Sequence, residues 1–139
     1  MKKKSLPVGS TLLPIICIGI ACTEKDYRLC YFLNRELDIE LAKSSTELKF
    51  NRDNNTCKMM YFHALDLNSE YYLLENKTTT FSLLPDYKNI NYWFIVKSRS
   101  FDPPDKSYSK KLNKLDVIVT TFVMKDEKDI KFLNDLILQ

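Results

Sequence analysis

Apolar and polar positions follow two periods along this chain, and the switches between them mark its elements. Ile15 to Cys22 is an apolar run of strand length, β-branched at Ile15, Ile16, Ile18 and Ile20. It predicts a central strand at about Leu13–Ala21, apolar on both faces. Thr23 stands three residues ahead of Asp26, and Glu24 and Asp26 are acidic where a first helical turn would lie. That spacing predicts a capping box and a helix. At about 100° per residue, Leu29, Cys30, Leu33 and Leu37 share one face, and Glu24, Arg28 and Arg35 share the other. Asp26 projects at the N-terminal edge of the apolar face. There it either accepts backbone N–H groups or, if buried, needs an arginine or tyrosine partner, because a lone buried charge is costly.

From Asp38 to Thr56 the pattern weakens into a polar connection, part helix end and part loop. Cys57 to Asp66 alternates as a strand, and an Asp66–Ser69 turn joins it to Glu70–Glu75 as a hairpin. Thr78 to Leu84 is β-prone and leads into a turn at Pro85-Asp86. Asn91 to Lys97 is a further strand, again apolar on both faces. After Pro103-Pro104 a short helix reaches about Asn113, with Tyr108, Leu112 and Leu115 inward and Lys106, Lys110 and Lys114 outward. Asp116 to Met124 is a β-branched last strand, and Ile130, Leu133 and Ile137 place a helix over Asp126–Leu138.

The order is strand, helix, hairpin, strand, helix, strand, helix. It predicts an α+β fold: a single, mostly antiparallel sheet with helices on one face. The order is close to the split βαβ arrangement of ferredoxin-like folds, with an extra strand inserted before the second helix. Residues 1–12 read as a flexible basic tail and residues 13–139 as one domain, with no internal repeat.

Composition adds exclusions. The chain has 139 residues, 45% hydrophobic and 28% charged, which suits a soluble domain with a real core. Its net charge is +3, and Lys2, Lys3 and Lys4 supply that excess, so the body carries no global basic field of the kind that nucleic-acid binding uses. Only Gly9 and Gly19 occur, too few for a Gly-rich phosphate loop or a dinucleotide fingerprint. No cofactor and no small-molecule ligand is indicated.

The N-terminus imitates an export signal, with three lysines and then an apolar stretch from Leu12 to Cys22. If Cys22 were a lipidated cysteine, a large aliphatic residue would stand three before it, but Gly19 does. Pro14 and Gly19 also interrupt the run, which is too short to span a bilayer as a helix. The strand reading explains more, and with it a cytoplasmic protein.

The candidate chemistry is sparse. His63 is the only histidine, so a histidine pair and a His-rich metal site are excluded. Cys57 lies about 20 Å from it along a strand, too far for a nucleophile–base pair. A pair of His63 with Cys17, Cys22 or Cys30 through the tertiary fold stays open. No Cys-x-x-Cys pair exists, and free cysteines pack as small hydrophobes, so reduced core thiols are expected. Asp126, Glu127 and Asp129 read as a charged helix start, not a calcium loop. The Lys106–Lys110–Lys114 stripe is the best basic patch; it is either a solvated helix face or, with exposed tyrosines, an RNA-binding surface.

Lys25-Asp26-Tyr27-Arg28-Leu29-Cys30-Tyr31, directly after Ile18-Gly19-Ile20, resembles the opening of the IPExxxDY family, small uncharacterised proteins of Bacteroidota. Leu84-Pro85-Asp86 followed by Asn91-Tyr92 resembles its second signature, with four residues between the halves where the family name implies three. Tyr71-Tyr72-Leu73-Leu74 and the apolar strand after Tyr92 agree in order, so the likeness spans about Ile15 to Met124. It implies a cytoplasmic, single-domain α+β protein and brings no activity with it.

The two motifs invite a physical reading. Asp26, Tyr27 and Arg28 would meet Asp86, Asn91 or Tyr92 in a polar cluster that clasps the first helix to the turn at Pro85. The clasp is either purely structural, or it leaves Tyr27 and Arg28 exposed as anchors for a protein partner. A non-enzymatic interaction module is therefore the leading expectation. An RNA-associated module comes second and a thiol-dependent enzyme third.

Overall fold

The computed structural model describes residues 14–105 and 107–139. The proposed tail at 1–12 and Lys106 of the basic stripe lie outside the described residues. Strand β1 (Ile15–Cys22) leads into helix α1 (Asp26–Leu37). There follow the short β2 (Ala42–Lys43), β3 (Leu48–Arg52), β4 (Asn55–Met59), β5 (Phe62–Leu65) and β6 (Ser69–Glu75). After a loop come β7 (Tyr92–Ser98), the short helix α2 (Tyr108–Leu112), β8 (Ile118–Val123) and α3 (Glu127–Ile137).

Six strands form one antiparallel sheet in the order β2-β5-β6-β7-β1-β8, and β3 pairs with β4 in a separate hairpin. The fold is α+β, as the element order predicts. Four of the strands, in the spatial order β6-β7-β1-β8, with α1 after β1 and α2 between β7 and β8, follow the split βαβ pattern. β5 and β2 extend that sheet beyond β6. Within the apolar run that imitates an export signal, Ile15–Cys22 is β1, between β7 and β8, and Leu12 and Leu13 lie outside the described residues. Among the described residues, no helix is long and apolar enough to cross a membrane.

The sheet is covered on both faces, because β1 and β7 are apolar on both. Ile18, Ile20, Phe94 and Val96 pack with Leu29 and Leu33 of α1 and with Tyr108 and Leu112 of α2. Cys17, Trp93 and Ile95 pack on the opposite side with Leu133, Leu136 and Ile137 of α3 and with Leu48 and Met59 of the hairpin. The helices therefore divide two and one, where the element order suggested a single face. Gly19 sits opposite Trp93 and Phe122 in the central strand. A Cβ there would stand 3.0 Å from both the Ile90 Cδ1 and the Trp93 Cζ3 atoms.

Four local expectations change. The stretch Asp38–Thr56, read as a polar connection, contains β2 and β3 and the start of β4. Its turn residues Asp53 and Asn54 hold φ of 53° and 64°, the positive pair that a tight hairpin needs. The strand expected over Cys57–Asp66 breaks after Met59, so Cys57 and His63 belong to different sheets. Thr78–Leu84 forms no strand beyond a bridge between Lys77 and Ser82. The capping box is absent: Lys25 is the N-cap of α1, no side chain caps it, and Asp26 accepts the adjacent Tyr27 N–H at 2.7 Å. Residues Thr23 to Lys25 are used to turn the chain out of the sheet, so the helix starts too late for Thr23 to cap it.

Candidate functional site: the start of α1 and its clasp

The two sequence motifs meet, and the backbone mediates the meeting. Asn91 donates its backbone N–H to the Ile20 carbonyl at 2.8 Å, and its Oδ1 accepts the Cys22 N–H at 2.9 Å. Buried Tyr92 donates its hydroxyl to the Glu24 carbonyl at 2.6 Å. Together they fix the exit from β1 just before α1 begins. Burial, and then the neighbouring acidic groups and thiols, push the Tyr92 phenol well above its ordinary value, so it stays a donor.

Pro85 and Asp86 stand apart from this clasp. They are exposed in a turn closed by the Tyr87 N–H to Leu84 carbonyl bond at 3.1 Å, as the Pro-Asp pair predicts. What links that turn to the clasp is Asn76, which the sequence reading missed. Asn76 is fully buried. Its Nδ2 donates to the Tyr87 and Ile90 carbonyls at 3.1 and 2.9 Å. Its Oδ1 accepts the Leu84 N–H and the Trp93 Nε1–H, both at 2.9 Å. Its N–H donates to the Asn91 carbonyl at 2.8 Å. One asparagine thus organises the loop from β6 to β7. The available signal was Glu75-Asn76 ending an apolar strand, which marks a strand end but not this network.

Asp26 lies half-buried beside the clasp. It lines two adjoining clefts, of about 370 and 420 Å³, together with Glu75 and Tyr92. Glu75 is exposed at the end of β6, and partial desolvation at the cleft wall raises its carboxyl above its ordinary 4.5, with the Asp26 charge adding to the rise. Lys43 and Lys58 line one cleft, and Lys25 and Lys77 the other. The region is of mixed sign. Among the described residues, no group of three or more His, Cys, Asp or Glu side chains is placed to hold a metal ion.

Outward from the clasp, α1 carries a row of aromatic and arginine side chains. Tyr27 is 60% exposed and Tyr31 is 54% exposed. Arg28 pairs with Glu24 at 2.6 Å and lies 5.7 Å from the Phe32 ring centre. Arg35 lies 5.5 Å from the Tyr31 ring centre and donates to its hydroxyl at 2.9 Å. Tyr27, Arg28, Tyr31 and Phe32 line one shallow depression. The side chains of Tyr27 and Arg28 therefore take no part in the clasp. Tyr31, quoted within the first motif, was not singled out as an anchor, although its four-residue spacing from Tyr27 places it on the same side.

The remaining candidates separate. Cys30 is buried, and burial, reinforced by the Asp26 charge, pushes its thiol up to about 12. Burial likewise pushes Cys17 up to about 12 and raises Cys22. These three thiols stay protonated, which opposes thiolate chemistry. All four cysteines are free; Cys17, Cys22 and Cys30 are core residues as expected, whereas Cys57 is only half-buried in the β3–β4 hairpin. His63 stands 3.6 Å from Glu70, and its ring lies tilted by 41° to that of Tyr72 with the centres 4.8 Å apart; it meets none of Cys17, Cys22 and Cys30 in a hydrogen bond. Lys110 is exposed on α2, but that helix ends at Leu112, so Lys114 lies in the turn beyond it. The lysine stripe is thus not a continuous helix face. Asp105 draws Lys111 to 3.5 Å.

No family model matches the chain, and no curated protein and no solved structure matches it.

Proposed function

We propose that this protein is a small non-enzymatic interaction module that receives a protein partner on the exposed side of α1. One observation carries the reading: a helix whose inner face is filled by Leu29, Cys30 and Leu33 turns Tyr27, Tyr31, Arg28 and Arg35 to solvent. Solvated helix faces are ordinarily lysine- and glutamate-rich, whereas tyrosine and arginine dominate interface hot spots. Arg28 lies over Phe32 and Arg35 over Tyr31, which restrains those two rings and lowers the side-chain freedom lost on docking. The fitting partner is a protein segment with an apolar side chain for the Tyr27–Phe32 depression and flanking carboxylates for Arg28 and Arg35.

Tyr27 and Arg28 also belong to the stretch through which the chain resembles the IPExxxDY family, and the reading keeps that kinship as a proposal. It takes the protein to be cytoplasmic; free, buried Cys17, Cys22 and Cys30 suit a reducing compartment.

The test is isolation of tagged wild type and of the Tyr27→Ala/Arg28→Ala variant from a nuclease-treated native lysate. Both residues are exposed, so the variant keeps its fold, which circular dichroism checks. The reading expects partners that survive nuclease and are lost with the variant. Identical partners on both proteins would refute it, and loss of all partners on nuclease treatment would favour RNA instead.

A further inference from the structure

The two edges of the six-stranded sheet are finished differently. At one edge β2 is two residues long and carries Lys43, the short charged finish that blunts an edge. At the other, β8 runs for six residues, Ile-Val-Thr-Thr-Phe-Val, without charge, proline or glycine. Val119 is 77% exposed, and Phe122 and Val123 are each 40% exposed.

The main chain of β8 is open as well. Met124 donates its N–H to the Cys17 carbonyl at 2.9 Å. By the alternation of an antiparallel pair, Phe122 and Thr120 then also turn their main-chain groups toward β1. Thr121 and Val123 direct theirs outward. Among the described residues no strand takes them up, and only the Thr120 hydroxyl reaches the Thr121 carbonyl, at 3.5 Å. Val119 is the extra residue of a bulge, where Ala21 and Cys22 face Thr120 and Ile118, so the regular open stretch is Thr120–Val123.

We infer that β8 is a strand-pairing surface whose occupant is β8 of a second copy of this chain, joined antiparallel to continue the sheet across both copies. An open ladder of this kind is completed by another strand. The charges at its ends select the second copy. Exposed Asp116 precedes the strand and exposed Lys125 follows it. Antiparallel pairing brings the Asp116 end of each copy to the Lys125 end of the other, and parallel pairing would set like charges together. Asp126 does not spoil the match, because its carboxylate accepts the Lys128 and Asp129 N–H groups at 2.9 and 3.2 Å. With the two-fold axis at Thr121, the outward main-chain groups of the two copies bond each other. Thr120 then faces Phe122 across the join, an aromatic–β-branched pair of the sort that stabilises sheets.

The test is light scattering of the full chain over a wide range of concentration. It is repeated on Val119→Lys/Val123→Lys, which alters two exposed side chains. The expected result is a concentration-dependent rise to twice the 16.4 kDa chain mass, lost in the variant at unchanged circular dichroism. Amide hydrogen exchange gives a second readout that needs no variant, since Thr121 should become protected as the dimer forms. The inference is overturned if the wild type keeps its single-chain mass throughout, as it would if β8 pairs with a strand of another protein. It is equally overturned by a dimer that survives the variant or that leaves Thr121 in fast exchange.

Discussion

The Tyr92 hydroxyl donates to the Glu24 carbonyl across 2.6 Å, tying the first residue of β7 to the loop that launches α1. These residues are 68 positions apart. The bond explains why a polar atom ends an otherwise apolar buried side chain at that place. Tyr92→Phe should therefore keep the core and lose about 1 kcal/mol, the usual net worth of one such hydrogen bond. Denaturant melts give the loss. Faster amide exchange confined to the first turn of α1 would show that the bond holds the helix start, and a change spread over the whole sheet would argue otherwise.

Asn76 carries more. Truncation to alanine leaves the Leu84 N–H, the Trp93 Nε1–H and the Ile90 carbonyl without their buried partner, while the Tyr87 carbonyl keeps the Ile90 N–H. Each unsatisfied buried group costs about 1–3 kcal/mol, so Asn76→Ala should lose about 3 kcal/mol or more. With its carboxyl neutral, Asn76→Asp restores the acceptor and one of the two donations. It should sit between wild type and alanine in melting temperature at low pH, where the carboxyl is neutral.

Glu75 makes a prediction with a definite sign. Its carboxyl is raised above 4.5 in the folded chain, first by partial desolvation and then by the Asp26 charge. A carboxyl with a raised folded value binds protons more tightly when folded, so its contribution falls as pH rises from 4.5 through the folded value. Glu75→Gln removes that loss. It should be more stable than wild type at neutral pH, with the difference shrinking below about pH 4.5, which paired denaturation curves at acid and neutral pH test directly. A variant less stable than wild type at neutral pH would mean that the Glu75 charge has a favourable partner that outweighs Asp26.

Gly19 tests the packing of the central strand. Alanine in a strand gains about 0.5–1 kcal/mol of backbone entropy over glycine. Here its Cβ would stand 3.0 Å from the Trp93 ring and an Ile90 methyl group. Overpacking of that kind costs about 1–3 kcal/mol, so the net sign should be destabilising. A stabilised Gly19→Ala would show that Ile90 and Trp93 have room to withdraw.

Much of this architecture is legible in the sequence because it rests on periodicity. Strands apolar on both faces, expected at about Leu13–Ala21 and Asn91–Lys97, stand at Ile15–Cys22 and Tyr92–Ser98, and Leu29, Cys30 and Leu33 of the expected helix face are buried. The same two-sided strands imply cover on both faces, which the element order alone did not show. The β3–β4 hairpin was obscured because its strands are half exposed and its turn is Asp-Asn without glycine. Sequence proximity also misassigned partners. Tyr92 and Asn91 reach backbone atoms of Cys22 and Glu24, and a carbonyl or N–H leaves no mark in the identity of its residue. That is why the sequence points to Asp26, Tyr27 and Arg28 meeting Asp86, Asn91 or Tyr92 through their side chains, whereas Asn91 and Tyr92 clasp the main chain. Asn76 was hidden for the same reason, since most of its partners are main-chain groups.

The central claim is that partners dock on the outer side of α1, and the most direct measurement is site-resolved photo-crosslinking in cells. A photoreactive phenylalanine analogue replaces Tyr31 in one variant and exposed Tyr27 in another, with exposed Lys114 carrying it as the control position. The account predicts discrete protein adducts from the two α1 positions and none of the same mass from Lys114. Adducts of the same mass from Lys114 as well, or no adduct from either α1 position while Lys114 crosslinks, would contradict it.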